Sequence, residues 1–450
     1  MLCDYYGMDS RNIFLCNFDC EDFWPEQDLI RLPALDLQKI KPLVQNLDEL
    51  FIFLARKEDV LVLRNKPDNE FIEYLKNLGV EVPFIMTIYS DNEKKTISEL
   101  ILEDKDLIGR LKEYVTNNSN EKISTNLIPY GISKSEEALA ECLSVKVLSE
   151  SKISSFLNCK STLITLSAEC GVILPESLVC EGIDELKNEG RSFCESNGKI
   201  VLKELFGSSG SGLVKIDSLT KYDRLINNIE RLSNLKGKII IEKWHDSCLS
   251  YNHQYIMMGK DIFPYAFSRQ IINSSSGKII GSLFDQELDY IENLRENHLE
   301  LGKPILDAIS KKGYQGLAGF DSIVRNGNVL FPVIDINCRI NLSSIFYEIS
   351  KKYFPSKFAY FFCKEYMLSE PITFASFRKI IDKVAYSPSK AEGIVVLNFT
   401  ALNLNYLRSK SKIGRVFFAL FAENKKRASE ICKKSFLNED DEIYIGAFNV

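Results

Sequence analysis

One stretch of six residues, Gly207-Ser-Ser-Gly-Ser-Gly212, constrains the chain more than any other, because it sits between two strand-like runs. Upstream, Lys199 to Leu205 (KIVLKEL) reads as a strand, and downstream, Leu213 to Ile216 reads as a second. A loop of glycines and serines leaves its backbone N–H groups unobstructed. It can fold over phosphates and donate hydrogen bonds to their oxygens. It is not a Walker loop, because no Lys-Ser/Thr follows its last glycine. The lysine, Lys203, stands upstream on the strand, where it can reach across the sheet face to a phosphate. A plain hairpin turn is the competing reading of the same residues. Beyond the second strand, Leu219, Tyr222, Leu225, Ile226, Ile229 and Leu232 mark one face of an amphipathic helix, and Lys238 to Trp244 (KIIIEKW) a third strand. This order departs from a doubly wound sheet and suits an antiparallel α+β layer.

The second informative segment is Gly319 to Arg339, GFDSIVRNGNVLFPVIDINCR. Two strands, Phe320 to Val324 and Val329 to Ile336, flank a turn signal at Asn326-Gly327. A three-residue loop over Asn326 to Asn328 places Asp321 opposite Val333, on the face that carries Asp335 and Asn337. A two-residue loop places Asp321 on the other face unless Pro332 marks a bulge. Two carboxylates and an amide oxygen on one face suit Mg²⁺, with Mn²⁺ as its substitute. The competing reading is a solvent-facing strand pair. Arg339 follows on the same face, and its fork matches phosphate or carboxylate.

The first third reads as a small parallel α/β domain. Asp59 to Arg64 is strand-like, Asn69 to Leu78 helical, Val82 to Ile88 strand-like, Glu136 to Leu143 helical, and Val145 to Leu148 opens another strand. No G-x-G-x-x-G fingerprint occurs there. Near the end, strands at Gly393 to Phe399 and Arg415 to Phe421 and a helix at Lys425 to Lys434 read as a separate small α+β module. The boundaries follow as 1–150, 151–366 and 367–450.

Several function classes are poorly supplied. A net charge of −6 argues against bulk nucleic-acid binding. His245, His253 and His298 are the only histidines, and 12 scattered cysteines form no CxxC pair, so a zinc site or a His-based triad lacks ligands. The cysteines read as buried hydrophobes in a reducing compartment. With no signal peptide and no apolar run approaching the ~20 residues of a membrane helix, a cytoplasmic protein without a membrane partner is expected.

Taken in series, Lys203, the glycine–serine loop, Glu242 to Trp244 and the Asp321/Asp335/Asn337/Arg339 set resemble the ATP-grasp superfamily, over Ser151 to Ser350. The segment Asn158 to Pro175 (NCKSTLITLSAECGVILP) resembles that family's lysine-bearing helix before a Gly-Val-x-x-Pro strand. The resemblance implies an ATP-grasp fold between an N-terminal pre-ATP-grasp domain and a small C-terminal module. It implies that Lys160 and Lys203 bind ATP phosphates beneath Gly207, Ser208, Ser209, Gly210, Ser211 and Gly212. Glu242, Lys243 and Trp244 would line the adenine and ribose pocket, and Asp321, Asp335 and Asn337 would hold the metal. Arg339, with Lys203, would be catalytic and steady the transferred phosphoryl group or acyl phosphate. The family more often has Glu at the place of Asp335, a longer side chain better able to bridge two metals.

The flanks, Leu127 to Leu143 and Glu392 to Phe421, resemble the pheganomycin-type peptide ligases and the butirosin-pathway ligase that loads glutamate onto an acyl carrier protein. That branch implies natural-product (antibiotic) biosynthesis. The implied reaction turns a carboxylic acid or amino acid into an acyl phosphate with release of ADP, then passes it to a carrier-protein thiol. Amide formation with an amine and simple phosphorylation of a hydroxyl are the alternatives. Arg269, in the strand-like FSRQII, is a candidate for the substrate carboxylate against the plainer reading of a surface arginine. His245 and His253 read as structural rather than as bases. The basic stretch Arg408 to Lys434 could dock an acidic carrier protein, or be a solvated face.

Overall fold

The computed structural model describes residues 10–25, 30, 32, 44–90, 92, 94–207, 212–232, 237–246, 248–273, 279–285, 291–408 and 413–434. Three sheets organise them. The first is all-parallel, in the order β3-β2-β1-β4: β1 (Ser10–Leu15), β2 (Val60–Leu63), β3 (Phe84–Thr87) and β4 (Ser124–Pro129). The sequence missed β1, but β2 and β3 fall where the apolar runs place them. The expected strand at Val145 to Leu148 is reduced to one bridge, Asn126 to Lys146. In this order the chain leaves β1 toward β2 on one side and returns as β4 on the other. The C-terminal ends of β1 and β4 therefore border the crevice where open α/β sheets receive ligands.

The second sheet is antiparallel, β5-β8-β6-β7: β5 (Ser177–Glu181), β6 (Ile200–Glu204), β7 (Leu213–Ile216) and β8 (Lys238–Lys243). The helix Leu219–Leu232 covers it, burying Tyr222, Ile226 and Ile229 as its spacing requires. The third sheet has the order β13-β12-β9-β10-β11-β14-β16-β15. Its strands are β9 (Leu249–Met258), β10 (Asp261–Ile272), β11 (Ile279–Asp285), β12 (Gly316–Arg325), β13 (Asn328–Asn337), β14 (Phe358–Met367), β15 (Gly393–Val396) and β16 (Ile413–Ala422).

The C-terminal strands thus differ from the separate module expected. β16 pairs with β14 along its whole length, so the sheet runs unbroken across the boundary at 366 and 367. Phe361, Phe418 and Phe421 from this end share one core with Phe14, Phe51 and Phe71 of the N-terminal region. A strand as apolar as VFFALF needs cover on both faces, and an eighty-residue segment supplies too little of it alone. On the opposite face of the large sheet, the helices Ser151–Asn158, Lys160–Cys170 and Ile291–Lys311 pack against Tyr255, Phe320 and Ile336.

Candidate active site

Between the second and third sheets lies a cleft of about 310 Å³, lined among others by Lys160, Lys203, Gly207, Gly212, Glu242, Trp244, Asp321, Asp335 and Asn337. The hairpin that brings the acidic residues there is not the one a simple loop would give. Its loop is two residues, with Arg325 opposite Asn328 and positive φ at Asn326 (52°) and Gly327 (76°). A regular ladder from that turn would turn Asp321 to the wrong face. Register shifts between Asp321 and Val324 add residues to β13, and Asp321 comes to stand directly opposite Asp335. The bulged segment includes Pro332, which has no N–H to lose from the ladder. Gly319 stands opposite Asn337, so all three oxygen donors share the cleft face.

The two lysines arrive from separate elements. Lys160 opens its helix, and its backbone N–H donates to Leu205 O (3.0 Å), which docks the helix on the end of β6. Its Nζ lies 3.1 Å from Gly207 O and 3.4 Å from Asp335 Oδ2. Burial depresses its ammonium, but Asp335 and Glu21 outweigh that and hold it charged. Lys203, only 8% exposed on β6, pairs with Glu242 Oε1 of β8 at 2.6 Å. Burial pushes the Glu242 carboxyl up, against the pull of Lys203. Trp244 carries Lys215 Nζ over its ring, 4.1 Å from the centroid. Gly207 and Gly212 bracket the loop, with φ of 145° and 70°; Ser208, Ser209, Gly210 and Ser211 lie outside the described residues.

Known proteins share the fold that carries this cleft. The family description "Pre ATP-grasp domain" matches residues 48–145. A "[butirosin acyl-carrier protein]–L-glutamate ligase" of Niallia circulans is 27% identical over 346 residues, 75% of this chain and 74% of that protein. Among solved structures, the ADP complex of an N5-carboxyaminoimidazole ribonucleotide synthetase is similar with a TM-score of 0.56 and 11% identity, covering 97% of each chain. A biotin carboxylase–ATP-analogue complex from Campylobacter jejuni gives a TM-score of 0.54 and 11% identity over 98% of this chain and 95% of that one. At such identities the structures speak for the fold, and the N. circulans relative for the kind of enzyme. This chain is an ATP-grasp ligase.

In this ATP-grasp ligase the donor set fits a hard divalent cation. Burial and the facing Asp335 push the Asp321 carboxyl up to about 6, the mark of two carboxylates sharing one place. Among the described residues no three His, Cys, Asp or Glu side chains gather into one cluster. Two carboxylates and one amide are instead what Mg²⁺ takes when phosphate oxygens and water complete its shell.

Sequence reading missed the residues that orient these donors. Asn252 and Gln270 donate to Asp321 Oδ1 at 2.7 and 2.9 Å, so Oδ2 is left for a cation. Asn252 is held in turn by Ser343 (2.9 Å) and Gln254 (2.8 Å), and Ser344 donates to Gln254 Oε1. Period-two polar positions on β9 were the signal available.

Two candidates do not converge on the cleft. Arg269 stands opposite Tyr251 and Leu283, one residue out of phase with Gln270, and so takes the other face of the sheet. Arg339 is 6% exposed and lies behind Asn337 rather than in the cleft lining. His253 is buried on the far face against Tyr255 and His298, whereas His245 packs on Phe331 and is part of the cleft lining. Of the basic stretch, Arg415 pairs with Glu365, and Arg427 with Glu392 and Glu430. Lys410, Lys412 and the Arg408 side chain lie outside the described residues.

Proposed function

We propose that this ligase activates an amino acid, glutamate first among candidates, as an acyl phosphate with release of ADP, and transfers it to the thiol of an acyl carrier protein in natural-product biosynthesis. The observation that carries the reading is the facing pair Asp321 and Asp335 beside Lys160, Lys203 and Gly207 in one cleft. A carboxylate is a poor acyl donor, and its attack on the γ-phosphorus asks for positioning and charge neutralisation rather than a protein nucleophile. Lys160 and Lys203 bind the phosphate oxygens beside Gly207 and Gly212. Glu242, Lys243 and Trp244 take the nucleoside. Asp321, Asp335 and Asn337 hold Mg²⁺, which when bound neutralises the phosphates.

The choice of acyl group and acceptor is supported by the N. circulans relative, whose name joins glutamate to a carrier protein. Lys426, Lys433 and Lys434 are exposed near the C-terminal helix and offer positive charge to an acidic partner. Free thiols and the need for ATP fit a cytoplasmic setting. The test is ADP release with amino-acid panels, read together with the mass of an added carrier protein and hydroxylamine trapping. A carrier mass increased by the acyl group supports the proposal. Dipeptide formation with an unchanged carrier overturns the thiol acceptor, and phosphorylation without hydroxamate overturns ligation itself.

A further inference from the structure

Arg339 is engaged at every donor position. Its Nε donates to Glu21 Oε1 (2.7 Å), Nη1 to Tyr130 Oη (2.8 Å), Ile340 O (3.1 Å) and Asn341 Oδ1 (3.3 Å), and Nη2 to Asn337 Oδ1 (2.6 Å). Nη2 also lies 2.7 Å from Glu21 Oε1. A guanidinium has five N–H donors, and these acceptors use them all. Little is left for a phosphoryl oxygen.

The origin of the partners is informative. Glu21 follows β1 in a short 3-10 turn, Cys20–Asp22, and Tyr130 follows β4. These are the two strand ends that border the crevice of the parallel sheet, and Arg339 fills it. Glu21 also reaches the other side of the cleft: its Oε2 accepts from Gly207 N–H at 2.8 Å. One carboxylate, 8% exposed, therefore holds both the arginine behind Asn337 and the first residue of the glycine–serine loop. The contacts close a ring, Glu21–Arg339–Asn337 on one side and Glu21–Gly207–Lys160–Asp335 on the other.

We propose that Glu21 is a positioning residue of the phosphoryl-transfer site, acting through Arg339 on Asn337 and directly on Gly207. An asparagine serves a cation only through its oxygen, and the torsion that sets its amide plane is soft. The Arg339 donor fixes which amide atom points where, and Glu21 fixes Arg339. The N-terminal domain thereby contributes to metal and phosphate binding without touching either. Groups that hydrogen-bond a metal ligand change the metal's affinity by about 10- to 100-fold when lost, and Arg339, which Glu21 holds, is such a group.

This inference rests on the metal assignment of the proposed function, and the experiment separates the two. Wild type, Glu21→Gln and Glu21→Asp are prepared as the full chain. Binding of Mn²⁺ in the presence of ADP is measured by electron paramagnetic resonance, with thermal melting in parallel. Glutamine leaves an amide where Arg339 and Gly207 both need an acceptor, and is expected to weaken Mn²⁺ by about 10-fold or more. Aspartate, too short to span both, is expected to fall between. Excess Mg²⁺ is expected to restore much of the turnover of the glutamine variant. A lowered melting temperature with unchanged Mn²⁺ and ADP affinity in the folded protein overturns the proposal and leaves Glu21 a structural tie. If glutamine prevents folding, Arg339→Lys, which keeps the charge but loses the fork, must show the same metal defect; unchanged affinity there overturns it. Wild type that binds Mn²⁺ and ADP but releases no ADP with any substrate defeats the ligase reading alone. Wild type that binds no Mn²⁺ with ADP overturns both.

Discussion

The two ends of the eight-stranded sheet do opposite work with the same helix beneath them. At the end formed by β13, β12, β9 and β10 the inward face is polar: Asn252, Gln254, Gln270, Asp321 and Asp335 form one hydrogen-bonded or facing set. At the β14–β16 end it is aromatic. Phe361 stacks on Phe346 at 4.5 Å and meets Phe284 and Phe421 edge-on, each at 5.8 Å. The helix Leu342–Lys352 serves both, giving Ser343 and Ser344 to the polar end and Phe346 to the aromatic one. Polar groups in a buried layer are costly unless partnered, so the cleft is built as a network. Buried carboxylates mark the contrast. Asp321 faces Asp335, whereas Glu49 accepts from Phe399 N–H (2.7 Å) and Thr400 N–H (3.0 Å) and so caps the helix Thr400–Arg408.

If the polar end is catalytic and the aromatic end structural, substitutions should separate cleanly. The largest effect belongs to Asp335→Ala: ADP release is expected to fall by about 10³-fold or more with the melting temperature nearly kept, as measured in steady-state assays. Phe361→Ala should do the reverse, costing about 3–5 kcal/mol in denaturant unfolding while the folded fraction keeps its Mg²⁺ dependence. Glu49 tests the apolar end by pH. Burial pushes its carboxyl up to about 7, against the hydrogen bonds from Thr400 and Phe399. The folded state therefore holds this proton more tightly than the unfolded chain, whose ordinary value is about 4.3. The stability it adds is full at acid pH, below that value, and is lost as pH rises through 7. Melting of Glu49→Gln against wild type from pH 4 to 8 should shift in favour of the glutamine variant by up to about 3 kcal/mol.

Smaller effects probe the support of the cleft. Gln270→Leu, which removes one of the two donors to Asp321, should weaken activation by Mg²⁺ about 10-fold in metal titrations of ADP release. The smallest is Lys215→Ala, expected to raise the KM for ATP by a few-fold, in line with a loss of about 0.5–1 kcal/mol beside the Trp244 ring. If Gln270→Leu lowers stability without touching the metal dependence, the polar end is a structural layer and the comparison fails.

Much of the lining of the cleft was legible in residue order. Lys203 ahead of a glycine-rich loop and two aspartates on the strands flanking the turn at Asn326-Gly327 are local patterns, visible within short windows of sequence. The strands β2, β3, β6, β7, β8 and β16 could be read from apolar runs for the same reason. The failures share a cause. The sequence changes character near residue 367, but the apolar strands beyond it complete a sheet begun elsewhere. Arg269 and Gln270 are adjacent on one strand, and only the phase of β10 sends them to opposite faces.

What the sequence by itself determined is therefore the inventory: the lysines, the glycine-bracketed loop, and the three oxygen donors that suit Mg²⁺. The tertiary structure decided their registration. The shifts in β13, not the turn, set Asp321 against Asp335, because side chains alternate at every residue and ladder irregularities decide the face. It also decided what the glycine–serine loop is anchored to. Glu21 and Gly207 are 186 positions apart, and only the packing of the parallel sheet against the cleft brings the carboxylate to that N–H.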